Sequence, residues 1–342
     1  MPIDRKRYSR QILFAPIGEA GQERLARSRV AIVGLGALGT ALANHMVRSG
    51  VGTVRLLDRD FVEESNLQRQ MLYDESDARE GLPKAVAAER KLRAINSAVR
   101  LEAHITDVTW QNAEELLTGV DLILDGTDNF DIRYLINDIS IKHRIPWIYG
   151  GIVGSRGMTL TVRPGTTPCL RCVFPEAPGP GSAETCDTAG VIGPIVHMIT
   201  AHQAAEALKL LVGDTESLDR RLHHYELWPF HHVALNVSKN PRCPACSGHR
   251  YEFLDPEDKE PRAVSLCGRQ TIQITPAHPA DLDLKRLAQR LSPVGEVEHT
   301  PFLLRFSVEN HRLVIFPDGR ILVQGTEDPG VARSLVAKYV GS

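Results

Sequence analysis

Arg29-Val30-Ala31-Ile32-Val33-Gly34-Leu35-Gly36-Ala37-Leu38-Gly39 is the stretch on which the fold turns. Arg29 to Val33 reads as a short apolar strand, Gly34-x-Gly36-x-x-Gly39 as a tight turn, and the alanine-rich residues to about Ser49 as a helix. The next strand, Thr53 to Leu57, ends at Asp58, about 20 residues beyond the turn, as a dinucleotide fingerprint requires. Glycines let backbone approach a phosphate, and a helix N-terminus attracts its charge. An acidic side chain at the second strand's end accepts hydrogen bonds from ribose hydroxyls. The stretch therefore predicts a nucleotide site on a Rossmann-like unit. Alone, it leaves open a nicotinamide or flavin oxidoreductase and a merely structural glycine turn.

Working outward, Lys84 to Ile95 reads as an amphipathic helix, and Leu101 to Ile105, Asp121 to Leu124 and Pro146 to Tyr149 as strands. This alternation predicts a doubly wound, mostly parallel α/β sheet whose strand ends at Asp125 and Gly150 line one edge. From Arg156 the pattern changes. A strand over Gly157 to Val162 is followed by a Pro/Gly-rich loop, Pro175 to Gly181, and a long helix from Pro194 to about Val212. The polar run Ser247 to Arg262 reads as a linker, and Ala263 to Ser342 as a compact α+β module with a hairpin at Pro317-Asp318-Gly319. The expected organisation is a first domain over 1–248, a linker over 249–262 and a small C-terminal domain over 263–342.

Composition narrows the function. Hydrophobic residues make up 42% of the 342-residue chain and the formal net charge is -2, which argues against a dedicated nucleic-acid binder with a basic surface. Met1 to Gln11 lacks the apolar core of a secretory signal, and no window offers the ~20 apolar residues of a membrane span. A cytoplasmic protein is expected. Its six cysteines then point to metal or catalysis rather than to disulfides. Cys169-Leu170-Arg171-Cys172 and Cys243-Pro244-Ala245-Cys246 are two C-x-x-C knuckles suited to one tetrahedral Zn²⁺. With no open position for water, such a site ties chain segments together and catalyses nothing. A redox reading is weaker, because neither knuckle opens a helix in a thioredoxin-like unit.

Three further stretches carry a specific resemblance: Arg7-Tyr8-Ser9-Arg10-Gln11; Asp58-Arg59-Asp60-Phe61-Val62-Glu63-Glu64-Ser65-Asn66-Leu67-Gln68-Arg69-Gln70 with Gly81-Leu82-Pro83-Lys84; and Asp125-Gly126-Thr127-Asp128-Asn129. In this order they resemble the adenylating enzymes related to ubiquitin-activating enzyme, and are most similar to the bacterial thiazole-biosynthesis and molybdopterin-synthase adenylyltransferases. The resemblance covers about residues 1 to 250. The C-terminal module resembles an extension of some bacterial members, with no chemistry to assign.

The resemblance implies ATP-dependent adenylylation of the C-terminal glycine carboxylate of a ubiquitin-like sulfur-carrier protein, with release of pyrophosphate, in thiamine or molybdopterin cofactor biosynthesis. It implies that Asp58 holds the ribose, that Asn66, Arg69 and Lys84 contact the triphosphate, and that Asp128 binds Mg²⁺. Arg10 would reach the nucleotide of the neighbouring subunit in a homodimer. Gly34, Gly36, Ala37, Gly39, Ser65 and Asn129 complete the nucleotide-facing set. Ala37 departs from the glycine of many members, but alanine fits a helix-opening turn. Taken singly, Arg69 and Lys84 also fit solvated surface charges, and Asp128 a helix cap. The chemistry needs no general base, since a C-terminal carboxylate with a pKa near ~3.5 is already anionic. It needs cations at fixed places around the leaving pyrophosphate.

Cys186, outside the knuckles, follows the Pro/Gly-rich loop; in thiazole-type relatives a cysteine here links covalently to the carrier, and in molybdopterin-type relatives it is dispensable. Cys267 reads as a buried apolar residue. His197 and His202 sit five residues apart on different helix faces, and His223, His224, His231 and His232 read as a surface strand and loop around Trp228. The extension shows no rhodanese-like cysteine motif, so a separate sulfur donor is expected. A Rossmann oxidoreductase and a non-catalytic scaffold of the same fold remain as alternatives.

Overall fold

The computed structural model describes residues 3–177, 186–256, 263–266, 271–276 and 282–341. The chain divides into two compact units, Met1–Pro256 and Glu257–Ser342. The first opens with α1 (Ser9–Ile12) and α2 (Gly18–Arg27), then alternates β1 (Arg29–Val33), α3 (Ala37–Arg48), β2 (Thr53–Asp58), α4 (Glu75–Glu80), α5 (Lys84–Ile95), β3 (Arg100–Ile105), α6 (Ala113–Leu117), β4 (Leu122–Asp125), α7 (Phe130–His143) and β5 (Trp147–Val153). It continues with β6 (Arg156–Val162), α8 (Leu170–Val173), α9 (Cys186–Ala189), α10 (Gly193–Val212), β7 (Leu222–Leu227) and β8 (Phe230–Leu235). The sheet order is β3-β2-β1-β4-β5-β6-β7-β8; strands up to β5 pair in parallel and β6 to β8 are antiparallel. Chain order reverses between β1 and β4, which opens a crevice at the carboxyl ends of the strands where α/β sheets bind ligands.

β4 is buried at every position, as expected of a strand covered on both faces. The glycine turn explains the close fit at this point. Gly34 has φ 82°, and a Cβ on Gly39 would meet the Gly34 carbonyl oxygen at 1.8 Å, so any side chain there would push α3 off the sheet.

Two expectations need correction. Leu254 is buried and Tyr251 and Phe253 pack against the core of the first unit, so the segment read as a linker from 249 is still part of that unit up to Pro256. Its charged neighbours mask a short apolar anchor. His223 is buried rather than on the surface, because one face of the β7–β8 hairpin packs toward α10. His223 Nδ1 lies 3.1 Å from His232 Nε2, and burial, with His223 adding, pushes the nearby His202 down to about 4.

The second unit contains β9 (Ala263–Leu266), β10 (Thr271–Ile274), α11 (Leu284–Leu291), β11 (Glu296–His299), β12 (Leu304–Val308), β13 (His311–Ile315), β14 (Ile321–Gln324) and α12 (Pro329–Tyr339). Its sheet runs β11-β12-β13-β14-β10-β9, with Phe306, Leu313, Ile315 and Val323 in a core shared with Leu287, Leu291 and Ala332 of the helices. The hairpin expected at Pro317-Asp318-Gly319 joins β13 to β14. Cys267 lies outside the described residues.

Candidate functional site

The carboxyl ends of β1, β2 and β4 converge on the glycine turn. Asp58 is buried, and its carboxylate accepts from Leu35 N at 2.6 Å and Asp60 N at 2.7 Å, so it fixes the turn as well as facing the crevice. Burial pushes the Asp58 carboxyl up, opposed by the Lys84 ammonium. Tyr73 buttresses the turn from behind, its hydroxyl donating to Leu35 O at 2.9 Å. The loop after β4 closes the other side. A Cβ on Gly34 would lie 2.7 Å from Gly126 O, so glycine meets glycine across the crevice floor. Ala37 opens α3 as expected.

Lys84 is the first residue of α5, brought to the site by the Phe61↔Pro83 bridge and by its own backbone N–H, which donates to Asp60 O at 2.9 Å. The side chain is buried, with Nζ 3.2 Å from Asp60 Oδ2. Burial works against its charge. The carboxylates of Asp60, Asp58 and Asp128 outweigh that cost and hold Lys84 above the ordinary lysine range. A solvated surface lysine is therefore excluded.

Sequence reasoning passed over Arg59. It forms an ion pair with Asp107 at 3.0 Å and another with Asp60 at 3.8 Å, and feels Asp128 as well; together these outweigh desolvation and raise it above the ordinary arginine value. Its position next to Asp58 was the available signal.

The segment Glu64–Asn66 makes one 3₁₀ turn and presents Asn66, fully buried, whose Nδ2 has no hydrogen-bond partner among the described residues while its Oδ1 accepts from Glu63 N at 3.2 Å. A buried donor without an acceptor marks a place where a ligand oxygen fits. Ser65 is exposed and its carbonyl accepts from Arg69 Nη1 at 2.9 Å. Gln70, four residues on from Asn66, places Nε2 within 4 Å of where a Cβ on Gly36 would sit, so this segment runs beside the glycine turn. Asp128 stands exposed on the loop after β4. It does not cap α7. Asn129 does, its Oδ1 accepting from Ile132 N at 3.1 Å.

Two expected residues lie on other elements. Arg10 is exposed on α1. Cys186 begins the one-turn helix α9, ahead of α10, and its side chain lies outside the described residues.

The four knuckle cysteines do converge. Cys169 Sγ lies 3.6 Å from Cys243 and 3.9 Å from Cys172, and Cys172 lies 3.5 Å from Cys246; all four sulfurs are within 4.8 Å of one another. Tetrahedral Zn–S bonds of ~2.3 Å put sulfurs roughly 3.8 Å apart, so the quartet fits Zn²⁺. The hydrogen bond from Cys169 pulls the Cys172 thiol down to about 4, with burial opposing and Asn240 N–H adding to it at 3.4 Å.

Comparison with known proteins agrees with this geometry. The model of the ThiF family matches residues 8–245. The chain is 45% identical over 338 residues to the sulfur carrier protein ThiS adenylyltransferase of Bacillus subtilis (strain 168), covering 98% of this chain and 99% of that one. It is 40% identical over 245 residues to the sulfur carrier protein adenylyltransferase of Thermus thermophilus, covering 70% and 90%. Among solved structures, that of E. coli MccB with ATP is similar in fold, with a TM-score of 0.62 and 22% identity over 70% of this chain and 74% of that one.

Proposed function

The chain belongs to the ThiF family, and from that membership we propose that it is an ATP-dependent adenylyltransferase acting on a ubiquitin-like sulfur-carrier protein. The carrier's C-terminal glycine carboxylate attacks the α-phosphorus of ATP, a bond forms between that carboxylate oxygen and phosphorus, and pyrophosphate leaves with the electron pair of the broken P–O bond. No proton has to be removed from a carboxylate at neutral pH.

The observation that carries this reading is the gathering of buried Lys84 and half-buried Arg59 with Asp58, Asp60 and the exposed Asp128 around the glycine turn. Cations at fixed places lower the cost of the charge that moves onto pyrophosphate. Asp58 suits the ribose, and Lys84, Arg69 and the unpartnered Asn66 amide suit the phosphates. Asp128 is the carboxylate suited to Mg²⁺, which when bound would offset the triphosphate charge. Exposed Arg10 is assigned to the nucleotide of a second copy in a homodimer. The thiol quartet is assigned to Zn²⁺ as a structural tie. No helix among the described residues is long and apolar enough to cross a membrane, and reduced thiols suit a cytoplasmic setting.

Of the two carrier types, the thiamine kind is favoured. The relative that matches 98% of the chain, and so includes the second unit, is named for ThiS. The activated carboxyl then passes to a separate sulfur donor, with Cys186 as the candidate thiol for a covalent adduct.

The test is exchange of labelled pyrophosphate into ATP. Exchange is expected with a ThiS-type carrier ending in Gly-Gly and with Mg²⁺, and not with a carrier lacking its last residue. Tight binding of NAD or FAD with no exchange against any such carrier would overturn the reading.

A further inference from the structure

Beneath the loop that carries Asp128 lies a buried side chain that no step of the proposed reaction uses directly. Arg133, one turn into α7, is buried under the loop that carries Asp128. Its Nε donates to Asp125 Oδ2 at 3.1 Å, and Nη2 donates to Thr127 O at 2.6 Å and to Gly150 O at 3.1 Å. The guanidinium lies 5.3 Å from the ring centres of both Phe130 and Tyr149. Asp125, fully buried at the end of β4, completes the clamp: Oδ1 accepts from Thr127 N at 2.9 Å and Thr127 Oγ1 at 2.7 Å, and Oδ2 accepts from Gly150 N at 3.3 Å. One guanidinium thus joins the end of β4, the middle of β5 and the loop between β4 and α7.

The consequence falls on Asp128. Thr127, just before it, is held at its N–H, carbonyl and hydroxyl, and Asn129, just after it, is held by its cap on Ile132 N. Asp128 is left exposed between two fixed neighbours, close enough to Lys84, Arg59 and Arg133 for its charge to raise all three. A buried ion pair is weak evidence for stability, because desolvation offsets most of its attraction. A fork that grips three acceptors at the foot of a functional loop makes better sense as orientation.

We infer that Arg133 is a positioning residue for metal binding at Asp128, acting through Thr127 O and Asp125. This rests on the assignment of Mg²⁺ to Asp128 made above. Lysine keeps the charge but cannot present the fork, so Arg133→Lys separates orientation from electrostatics.

The experiment compares wild type, Arg133→Lys and Asp128→Ala as full-length, zinc-loaded proteins. Mn²⁺ binding is followed by electron paramagnetic resonance in the presence of a non-hydrolysable ATP analogue, and Mg²⁺ half-saturation and kcat are measured by pyrophosphate exchange. Arg133→Lys is expected to weaken Mn²⁺ binding and raise the Mg²⁺ requirement by roughly 10-fold to 100-fold, the usual cost of losing a group that orients a metal ligand. Its kcat at saturating Mg²⁺ should return to within about threefold of wild type, because the ligand itself is intact. A folded Arg133→Lys protein with the wild-type metal requirement overturns the inference while leaving Asp128 in place. Wild-type metal binding by Asp128→Ala removes the Mg²⁺ assignment and the inference together. Should Arg133→Lys not fold, Asp125→Asn carries the test, with a raised metal requirement supporting the clamp and an unchanged one overturning it.

Discussion

The thiol quartet and the nucleotide crevice share one unit and are built on opposite rules. At the quartet every ligand comes from the chain: four sulfurs close on one another, Cys169 and Cys243 are fully buried, and Asn240 N–H supports Cys172. At the crevice the chain leaves its groups unfinished. Asn66 Nδ2 and Gln70 Oε1 are buried without partners among the described residues, Lys84 is held among three carboxylates, and Asp128 is exposed. A site that stabilises the fold is complete in itself, whereas a site that binds a substrate is completed only by the substrate. α7 connects the two. Its first turn carries Arg133 beneath the Asp128 loop, and further along Asn137 Oδ1 accepts from Leu170 N in the first knuckle at 2.9 Å.

This contrast breaks first at the quartet. Cys169→Ser, or chelation, should remove zinc and lower Tm by more than about 10 °C, because metal-binding energy is folding energy. Metal analysis beside a thermal melt checks it; a metal-free protein with the wild-type Tm would remove the structural role. At the crevice the effects should be reversed. Asp128→Ala should lower pyrophosphate exchange by at least about 100-fold while Tm moves by no more than about 2 °C, since the side chain is exposed.

A smaller effect sharpens the comparison at the quartet's edge. Arg171 pairs with Glu252 at 3.1 Å and lies over the rings of Tyr134 and Phe253, while Asp138 accepts from Phe253 N at 2.9 Å. Burial pushes the Asp138 carboxyl up to about 7, against the pull of those backbone hydrogen bonds. Raised above its unfolded value, Asp138 binds its proton more tightly in the native state, so its contribution to stability falls as pH rises from about 4 to about 7 and the loss is complete above that. Asp138→Asn keeps an acceptor and removes the ionisation. The difference in Tm between variant and wild type should move in favour of the variant by a few degrees between about pH 5 and pH 8. Parallel melting profiles would show that Asp138 does not titrate in this range. The smallest effect is expected at Cys186→Ala, with exchange staying within about twofold of wild type and a reductant-sensitive adduct with the carrier disappearing. A tenfold loss of exchange would place this cysteine in the adenylation step instead.

What the sequence reveals follows from how local the cause is. The glycine turn, the apolar run before Asp125 and the two knuckles announce themselves because a positive φ, two-sided burial and ligand spacing each act within a few residues. Arg59, Asp60 and Arg133 stay hidden as site residues. Arg59 finds Asp107 across 48 positions, and Lys84 finds Asp60 across 24, through loops whose closure the sequence does not encode locally. Arg133 is the instructive case, since a charged residue inside the apolar run of α7 is the one local sign that a buried partner awaits it. Tyr251 to Leu254 and His223 were hidden for the converse reason: polar neighbours dominate their windows, and only the packing reveals that they point inward.

The most direct test of the account is the intact mass of the carrier itself after incubation with this protein, ATP and Mg²⁺ in the absence of any sulfur donor. The account predicts an AMP adduct on a ThiS-type carrier ending in Gly-Gly, none on a carrier lacking the final glycine, and none with Asp128→Ala. An unmodified native carrier in the presence of folded, zinc-loaded protein, or an adduct that forms regardless of the carrier's terminus, would contradict it.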